Sequence, residues 1–282
     1  MKSLLVLGCF VVSIGNIAPA FLVRANFTQL LAQTNPSSQT QTSPLVSAGS
    51  TLVRLERYQQ ESEMEIAGDI PGTSFASVAR VNTIVESPNK VNSQITFVSP
   101  NGLEGKTYQV ISDGSQVWIY NKATNQYSVS VPKQFLQTRE GFSIGTLSHF
   151  YLTIRSNIGS SNIATNLLAN IPEDRLVRYF QRYSQIDLQN VAIEEETIDG
   201  QTYKVYDLDV TDRGFKTTAY VNPESTTIER VDLSGTKDGL QLATQETIFE
   251  RNIPESIPAG TFSFSPPEGA EQVARQITIQ PF

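Results

Sequence analysis

The feature that most restricts the fold of this chain is a succession of short strand-like segments separated by turn-forming residues. Residues 63–70, 75–86, 91–99, 106–112, 116–121 and 126–131 read as strands. They are punctuated by Gly68, Pro71-Gly72, Ser87-Pro88-Asn89, Pro100-Asn101-Gly102 and Asp113-Gly114. Connections this short join antiparallel neighbours and cannot hold the crossover that a parallel pair requires. After residue 190 the rhythm resumes at 192–198, 201–210, 215–221, 226–233 and 240–249, separated by Asp199-Gly200, Asp212-Arg213-Gly214, Asn222-Pro223 and Lys237-Asp238-Gly239. The total of about eleven strands is enough for one sheet to curl into a strongly bent surface or partial barrel. The predicted fold is mainly β (α+β): a curled antiparallel incomplete β-barrel covered by helices.

The best-defined piece is 108–131, YQVISDGSQVWIYNKATNQYSVSV. Asp113-Gly114 favours the positive dihedrals of a two-residue type I′ hairpin. A second turn follows at 121–126, and Tyr127, Val129 and Val131 then alternate with serines as in a half-buried strand.

Residues 132–190 interrupt the strands and read as a helical insertion. Gly141 to Gly145 is a predicted loop, and 160–169 and 172–183 are predicted helices. In the second of these Pro172 suits the first turn, Glu173 and Asp174 suit the positive dipole end, and Leu176, Phe180 and Tyr183 share a face. Arg175, Arg178 and Arg182 fall elsewhere, as a solvated face does.

At the N-terminus, Lys2 precedes an apolar run from Leu4 to Ile14, and Ala18-Pro19-Ala20 supplies the small residues of a signal-peptidase site. Residues 1–20 are therefore predicted to be a signal peptide, with Val23-Arg24-Ala25 an acceptable second site. An uncleaved anchor over 3–23 is the alternative. Residues 21–49, low in apolar side chains from Gln33 onward, read as a linker, because such a composition buries too little surface to offset ordering entropy. Ser50 then caps a predicted helix through Gln60, with Leu52, Leu55 and Tyr58 on one side. The folded domain is predicted to run from 50 to 282.

The side-chain inventory excludes several chemistries. Of the 282 residues, 39% are hydrophobic and 17% charged, which fits a sizeable core, and the net charge of −7 argues against a general affinity for nucleic acid. The single cysteine, Cys9, lies in the leader, so no disulfide or zinc-thiolate site is expected in the mature chain. His149, the only histidine, sits in SHFYL with no serine elbow, and reads as a packing residue. No P-loop, GxSxG or dinucleotide fingerprint occurs. Asp207, Asp209 and Asp212 are the strongest carboxylate group, but Thr218 stands where a calcium loop needs its bidentate glutamate. Alternation makes them an exposed strand face running into a turn. Glu194, Glu195 and Glu196 alternate faces and cannot converge on one site. A carboxylate-based hydrolase is the weakest reading, and no enzyme activity and no cofactor are expected.

A curled sheet with covering helices suits an apolar ligand. Moving an acyl chain of about 15 methylenes into water costs roughly 12 kcal/mol at about 0.8 per CH₂, so such cargo needs a dry seat. Candidate lining residues are Leu52, Leu55, Ile66, Phe97, Trp118, Tyr120, Leu208, Phe262 and Phe264.

Three stretches carry a family resemblance. SDGSQVWIYN at 112–121 resembles the SDG-x-x-[LV]-W-x-Y hairpin of the periplasmic outer-membrane lipoprotein carriers, the LolA-like superfamily. TFSFSPPEGAEQV at 261–273 resembles its closing F-x-F-x-P-P-x-G segment, and Ser87-Pro88-Asn89 its Arg-Pro-Asn turn. The opening L-x-R-L at 52–55 agrees in order. Related periplasmic families of unknown function share the two longer motifs. The resemblance covers about 50–131 and 190–273, and implies a half-barrel whose helix-lidded cavity shields lipoprotein acyl chains between an inner-membrane donor and an outer-membrane acceptor. Ser87 stands where the carriers have an arginine that hydrogen-bonds the lid helices. The resulting expectation is a periplasmic, monomeric lipid- or lipoprotein-binding carrier. The alternative is an envelope sensor or adaptor of the same fold that regulates a membrane partner.

Overall fold

The computed structural model describes residues 44–70, 73–98, 104–158, 172, 191, 193–210, 215–237 and 240–281. The predicted signal peptide, the linker up to residue 43, Asp212 and the predicted helices at 160–169 and 172–183, Pro172 apart, lie outside them.

The strands are β1 (Arg57–Ile70), β2 (Thr73–Glu86), β3 (Lys90–Val98), β4 (Glu104–Asp113), β5 (Val117–Asn121), β6 (Gln126–Ser130), β7 (Ile193–Ile198), β8 (Gln201–Val210), β9 (Phe215–Asn222), β10 (Thr227–Lys237), β11 (Leu240–Asn252) and β12 (Glu271–Gln272). They form one sheet in the order β12-β6-β5-β4-β3-β2-β1-β11-β10-β9-β8-β7. Two antiparallel meanders thus meet where β1 pairs with β11, and the sheet is not closed into a barrel. The mainly β, incomplete-barrel expectation holds. One correction concerns direction: β12 pairs with β6 in parallel over Glu271 and Gln272, because the chain reaches that edge through a long C-terminal arm instead of a hairpin.

Bulges curl the sheet. Register shifts leave Phe249 unpaired between β1 and β11 and Glu229 unpaired between β9 and β10, and a third shift separates Thr96 from Val98. Each extra residue bends its strand and tightens the local twist. The hairpin turns divide by chemistry. Asp199 (φ 51°) and Gly200 (φ 85°) form the two-residue turn with both dihedrals positive. At the 113–116 turn only Gly114 is positive, at 97°, and the Asp113 carboxylate instead accepts from the Ser115 and Gln116 amides at 2.7 and 2.8 Å. The type I′ expectation is therefore corrected to a turn with glycine at its first central position, the side-chain bonds holding Asp113 in strand geometry.

The helices lie on one face. They are α1 (Pro44–Arg54), α2 (Pro132–Phe135), a 3-10 helix (Arg139–Ile144) and α3 (Thr146–Ile158). The helix expected over 50–60 is instead α1, followed at Arg57 by β1. Leu45, Ala48 and Leu52 supply its buried stripe, and Tyr58 pairs with Val85 as a strand residue. The loop expected at 141–145 is mostly the 3-10 helix, and α3 falls within the predicted helical insertion, N-terminal to the two helices placed there. On α3, Leu147, Tyr151 and Arg155 recur every four residues on a buried face.

Candidate functional site

Strand alternation defines the concave face in rows. Tyr58, Val85 and Val91 form one; Gln60, Thr83 and Ser93 the next; Ser62, Val81 and Ile95 the third; Met64, Ala79 and Phe97 the fourth. Ser112, Val110 and Tyr108 extend the first three rows on β4, and Val117 and Ile119 carry the first two onto β5. Apolar members of these rows join residues of α1, α2 and α3 in one buried cluster. The face is thus apolar except for the Gln60-Thr83-Ser93 row and its neighbours, and the helices cover it.

The polar row meets the backbone of the cover. Thr83 donates to the Ile144 carbonyl at 2.9 Å and lies 2.7 Å from Ser93 Oγ. Glu246 of β11, wholly buried, accepts from Gln60 Nε2 at 3.0 Å and Ser62 Oγ at 2.9 Å through Oε1. Its Oε2 accepts from the Leu147 amide at 3.0 Å. A strand carboxylate therefore does for the first turn of α3 what an N-cap side chain does elsewhere. Burial raises the Glu246 carboxyl above the ordinary range, against the lowering effect of the Leu147 amide, the Ser62 hydroxyl and Arg251. The approach is tight: a Cβ at Gly145 (φ 97°) would fall 2.5 Å from Glu246 Oε1. Arg251 donates through Nε and Nη2 to Gln60 Oε1 at 3.1 and 2.8 Å, completing the network.

Three further ties hold the cover. Tyr58 donates to Ser148 Oγ at 3.0 Å, Tyr151 donates to the Leu55 carbonyl at 2.7 Å, and Tyr58 and Tyr151 meet edge to face at 5.1 Å. Arg155, 1% exposed, donates from Nε to Ser87 Oγ at 2.7 Å and from Nη1 to the Val53 carbonyl at 3.4 Å, near the C-terminal end of α1. The helix dipole there favours a cation. His149 stacks on Phe142 at 3.9 Å, and its burial pushes the imidazole down to about 4, so it is neutral at ordinary pH.

The nine predicted lining residues divide between two faces. Leu52 and Phe97 belong to the buried inner cluster, and Leu55, Ile66 and Leu208 pack against it. Trp118 and Tyr120 alternate with Val117 and Ile119 and so point to the convex side. There Phe264 stacks on Trp118 at 5.9 Å and lies 6.1 Å from Tyr120 and 5.2 Å from Tyr127. Phe262 lies under Lys90 Nζ at 5.7 Å. These four aromatics fasten the C-terminal arm to the back of the sheet and do not share a surface with the other five.

Of the carboxylates, Asp207 alternates with the inward-facing Tyr206 and Leu208 and lies on the convex side. Asp207 accepts from Lys216 Nζ and Thr218 Oγ1, each at 2.7 Å, and these donors hold its carboxyl below the usual range. Glu194, Glu195 and Glu196 are exposed on the edge strand β7, where charge discourages further strand pairing. Among the described residues no three of His, Cys, Asp and Glu group as metal ligands, and no helix is long and apolar enough to cross a membrane.

Glu246 and Arg155 escaped the sequence reading. The first had a signal: in the register Thr244, Glu246, Ile248 it is a charge on the inward-facing set of a strand. The second shares the four-residue spacing of Leu147 and Tyr151.

No family model matches the chain, and no curated protein matches it in sequence. It is similar to solved structures. An uncharacterized conserved protein from Thermus thermophilus is 14% identical with a TM-score of 0.41, over 82% of this chain and 97% of that one. A LolA superfamily protein from Nitrosomonas europaea is 13% identical with a TM-score of 0.32, over 80% of this chain and 99% of that one. A chain of the Pseudomonas aeruginosa MucA/MucB complex is 11% identical with a TM-score of 0.33, over 78% of this chain and 60% of that one.

Proposed function

We propose that this protein is a non-enzymatic lipid- or lipoprotein-binding carrier of the periplasm, which seats acyl chains on the concave face of its sheet. The observation that carries the reading is the construction of that face. Rows of apolar side chains on an unclosed sheet are covered by short helices, not by a second sheet. Short helices held by apolar packing and a few side-chain bonds can leave the sheet and expose the rows without breaking a strand ladder. The polar contacts that dock the cover, at Ser87, Glu246 and Tyr58, lie between the sheet and α3. They are the bonds a loading event must exchange for acyl-chain burial, worth about 0.8 kcal/mol per methylene.

Two further parts of the proposal come from the sequence: export by the leader at 1–20, and transfer from an inner-membrane donor to an outer-membrane acceptor. Incubation with inner-membrane vesicles carrying a lipoprotein tests the transfer. A carrier releases the lipoprotein into the soluble fraction as a stoichiometric complex. Saturable binding of a fluorescent fatty acid without extraction would sink the carrier role in favour of a sensor, and the absence of both would sink the binding reading.

A further inference from the structure

The C-terminal arm does not stop on the convex side. Around Phe262 and Phe264, Asn92 Nδ2 of β3 donates to the Thr261 carbonyl at 2.6 Å and Asn125 Nδ2 to the Glu268 carbonyl at 3.2 Å. The chain then runs along the sheet edge as β12, where the Glu271 amide donates to the Asn125 carbonyl at 3.1 Å and the Val273 amide to the Tyr127 carbonyl at 2.8 Å. Beyond Val273 it turns onto the other side. The Ile277 amide donates to Ser128 Oγ at 2.9 Å, and Tyr108 donates to the Gln280 carbonyl at 3.1 Å. Ser128 and Tyr108 both belong to the concave face, since Ser128 pairs with Ile119 and Tyr108 with Ile95. Ile277 and Ile279 pack on the inner cluster. The arm has hooked around the edge of the half-barrel.

We propose that residues 274–281 are an intramolecular stand-in for the ligand: they cover the strip of the concave face at β4, β5 and β6, and an acyl chain takes that strip by displacing them. The inference rests on the binding reading above and adds where the chain lies and what it must move. Three observations support it. The tail places two aliphatic side chains of the same parity on the apolar cluster. Its attachment is weak: among the described residues the Val273 amide makes the last backbone-to-backbone bond, and the later bonds run through the side chains of Ser128, Tyr108 and, from Gln276 Nε2 at 3.2 Å, Thr138. The inward-facing neighbours of Ser128 and Tyr108 on β4 and β5 are apolar, with Val110, Val117 and Ile119 each at most 1% exposed. The arm's aromatic anchor on the convex face keeps the tail nearby after displacement.

Competition of this kind lowers apparent affinity by the fraction of time the strip is free. The test is titration of anthroyloxy-labelled stearate into the full chain, a chain ended after Val273, and the full-length double variant I277S/I279S. The last keeps the arm intact should truncation impair folding. Both altered chains are expected to bind the probe about tenfold tighter, corresponding to a tail docked about 90% of the time. Equal affinity in all three, or weaker binding by the altered chains, overturns the inference while leaving the carrier reading in place. No binding by any of them overturns the carrier reading and the inference together.

Discussion

Arg155 of α3 donates to Ser87 at the β2–β3 turn across 2.7 Å. The carriers that the 87–89 turn resembles have an arginine on the turn itself, bonded to the lid helices. Here the cation stands on the helix and the small acceptor on the turn, so cover and sheet are joined by a bond that runs from helix to turn. Ser87→Ala leaves a buried guanidinium N–H without an acceptor and is expected to cost about 1–3 kcal/mol. Ser87→Arg brings two cations together and is expected to cost more. Combining it with Arg155→Ser should recover part of that loss. Urea unfolding of the three chains and the wild type checks the order, and additive losses in the double variant would deny that the two positions are coupled.

The Glu246 network predicts that removing its carboxylate is costly. Glu246→Ala strands the Gln60 and Ser62 donors and the Leu147 amide in a buried site, at an expected cost of about 3–5 kcal/mol. Gly145→Ala attacks the same place from the other side, through its 2.5 Å approach and its positive φ, and should cost at least about 1 kcal/mol. Loss of near-ultraviolet circular dichroism with retained strand signal is the expected signature, because α3 undocks before the sheet unfolds.

His149 gives a pH dependence with a definite sign. Its folded value of about 4 lies below the ordinary 6.5, so the unfolded chain binds more protons in between. Its contribution is complete above pH 6.5 and is lost as pH falls toward 4, by about 3 kcal/mol at 1.36 kcal/mol per unit. Glu246, raised by burial, works in the opposite sense, since the folded state holds its proton to higher pH. Comparing wild type with His149→Gln at pH 7 and pH 4.5 isolates the histidine. The gap in stability between the two pH values should shrink in the variant by most of that amount.

Trp118 is the chain's one tryptophan and reports on the arm. Phe264→Ala removes its stacking partner and should shift its emission to the red, with a stability loss of about 2–3 kcal/mol for a partly buried aromatic. Bound fatty acid on the concave side should leave that emission nearly unchanged. A strong ligand-induced blue shift would place the chain on the convex face instead.

Eleven of the twelve strands are legible because alternation and turn residues are local signals, whereas the β1–β11 pairing and the short β12 depend on contacts distant in sequence. Tyr58 reads as helical in the sequence because Leu52, Leu55 and Tyr58 are spaced by three, which a helix and a helix-to-strand junction share. The start of α1 was hidden in a polar, serine-rich stretch whose burial depends on the sheet beneath it. α3 carries aromatic and β-branched residues with no capping side chain of its own, since its cap, Glu246, lies about a hundred residues away in sequence. The division of the nine candidate lining residues between two faces has a related cause. Alternation tells that Trp118 and Val117 face opposite ways, but which side receives the helices is decided by the long-range packing of α1 and α3.

The central claim is that acyl chains lie on the concave face, and the most direct measurement is photocrosslinking by a diazirine-labelled fatty acid followed by peptide mapping. The account predicts saturable labelling at inner-row positions such as Val110, Ile119 and Tyr108, suppressed by unlabelled fatty acid. Labelling confined to the Trp118, Tyr120 and Phe264 side, or labelling that does not saturate, would contradict it.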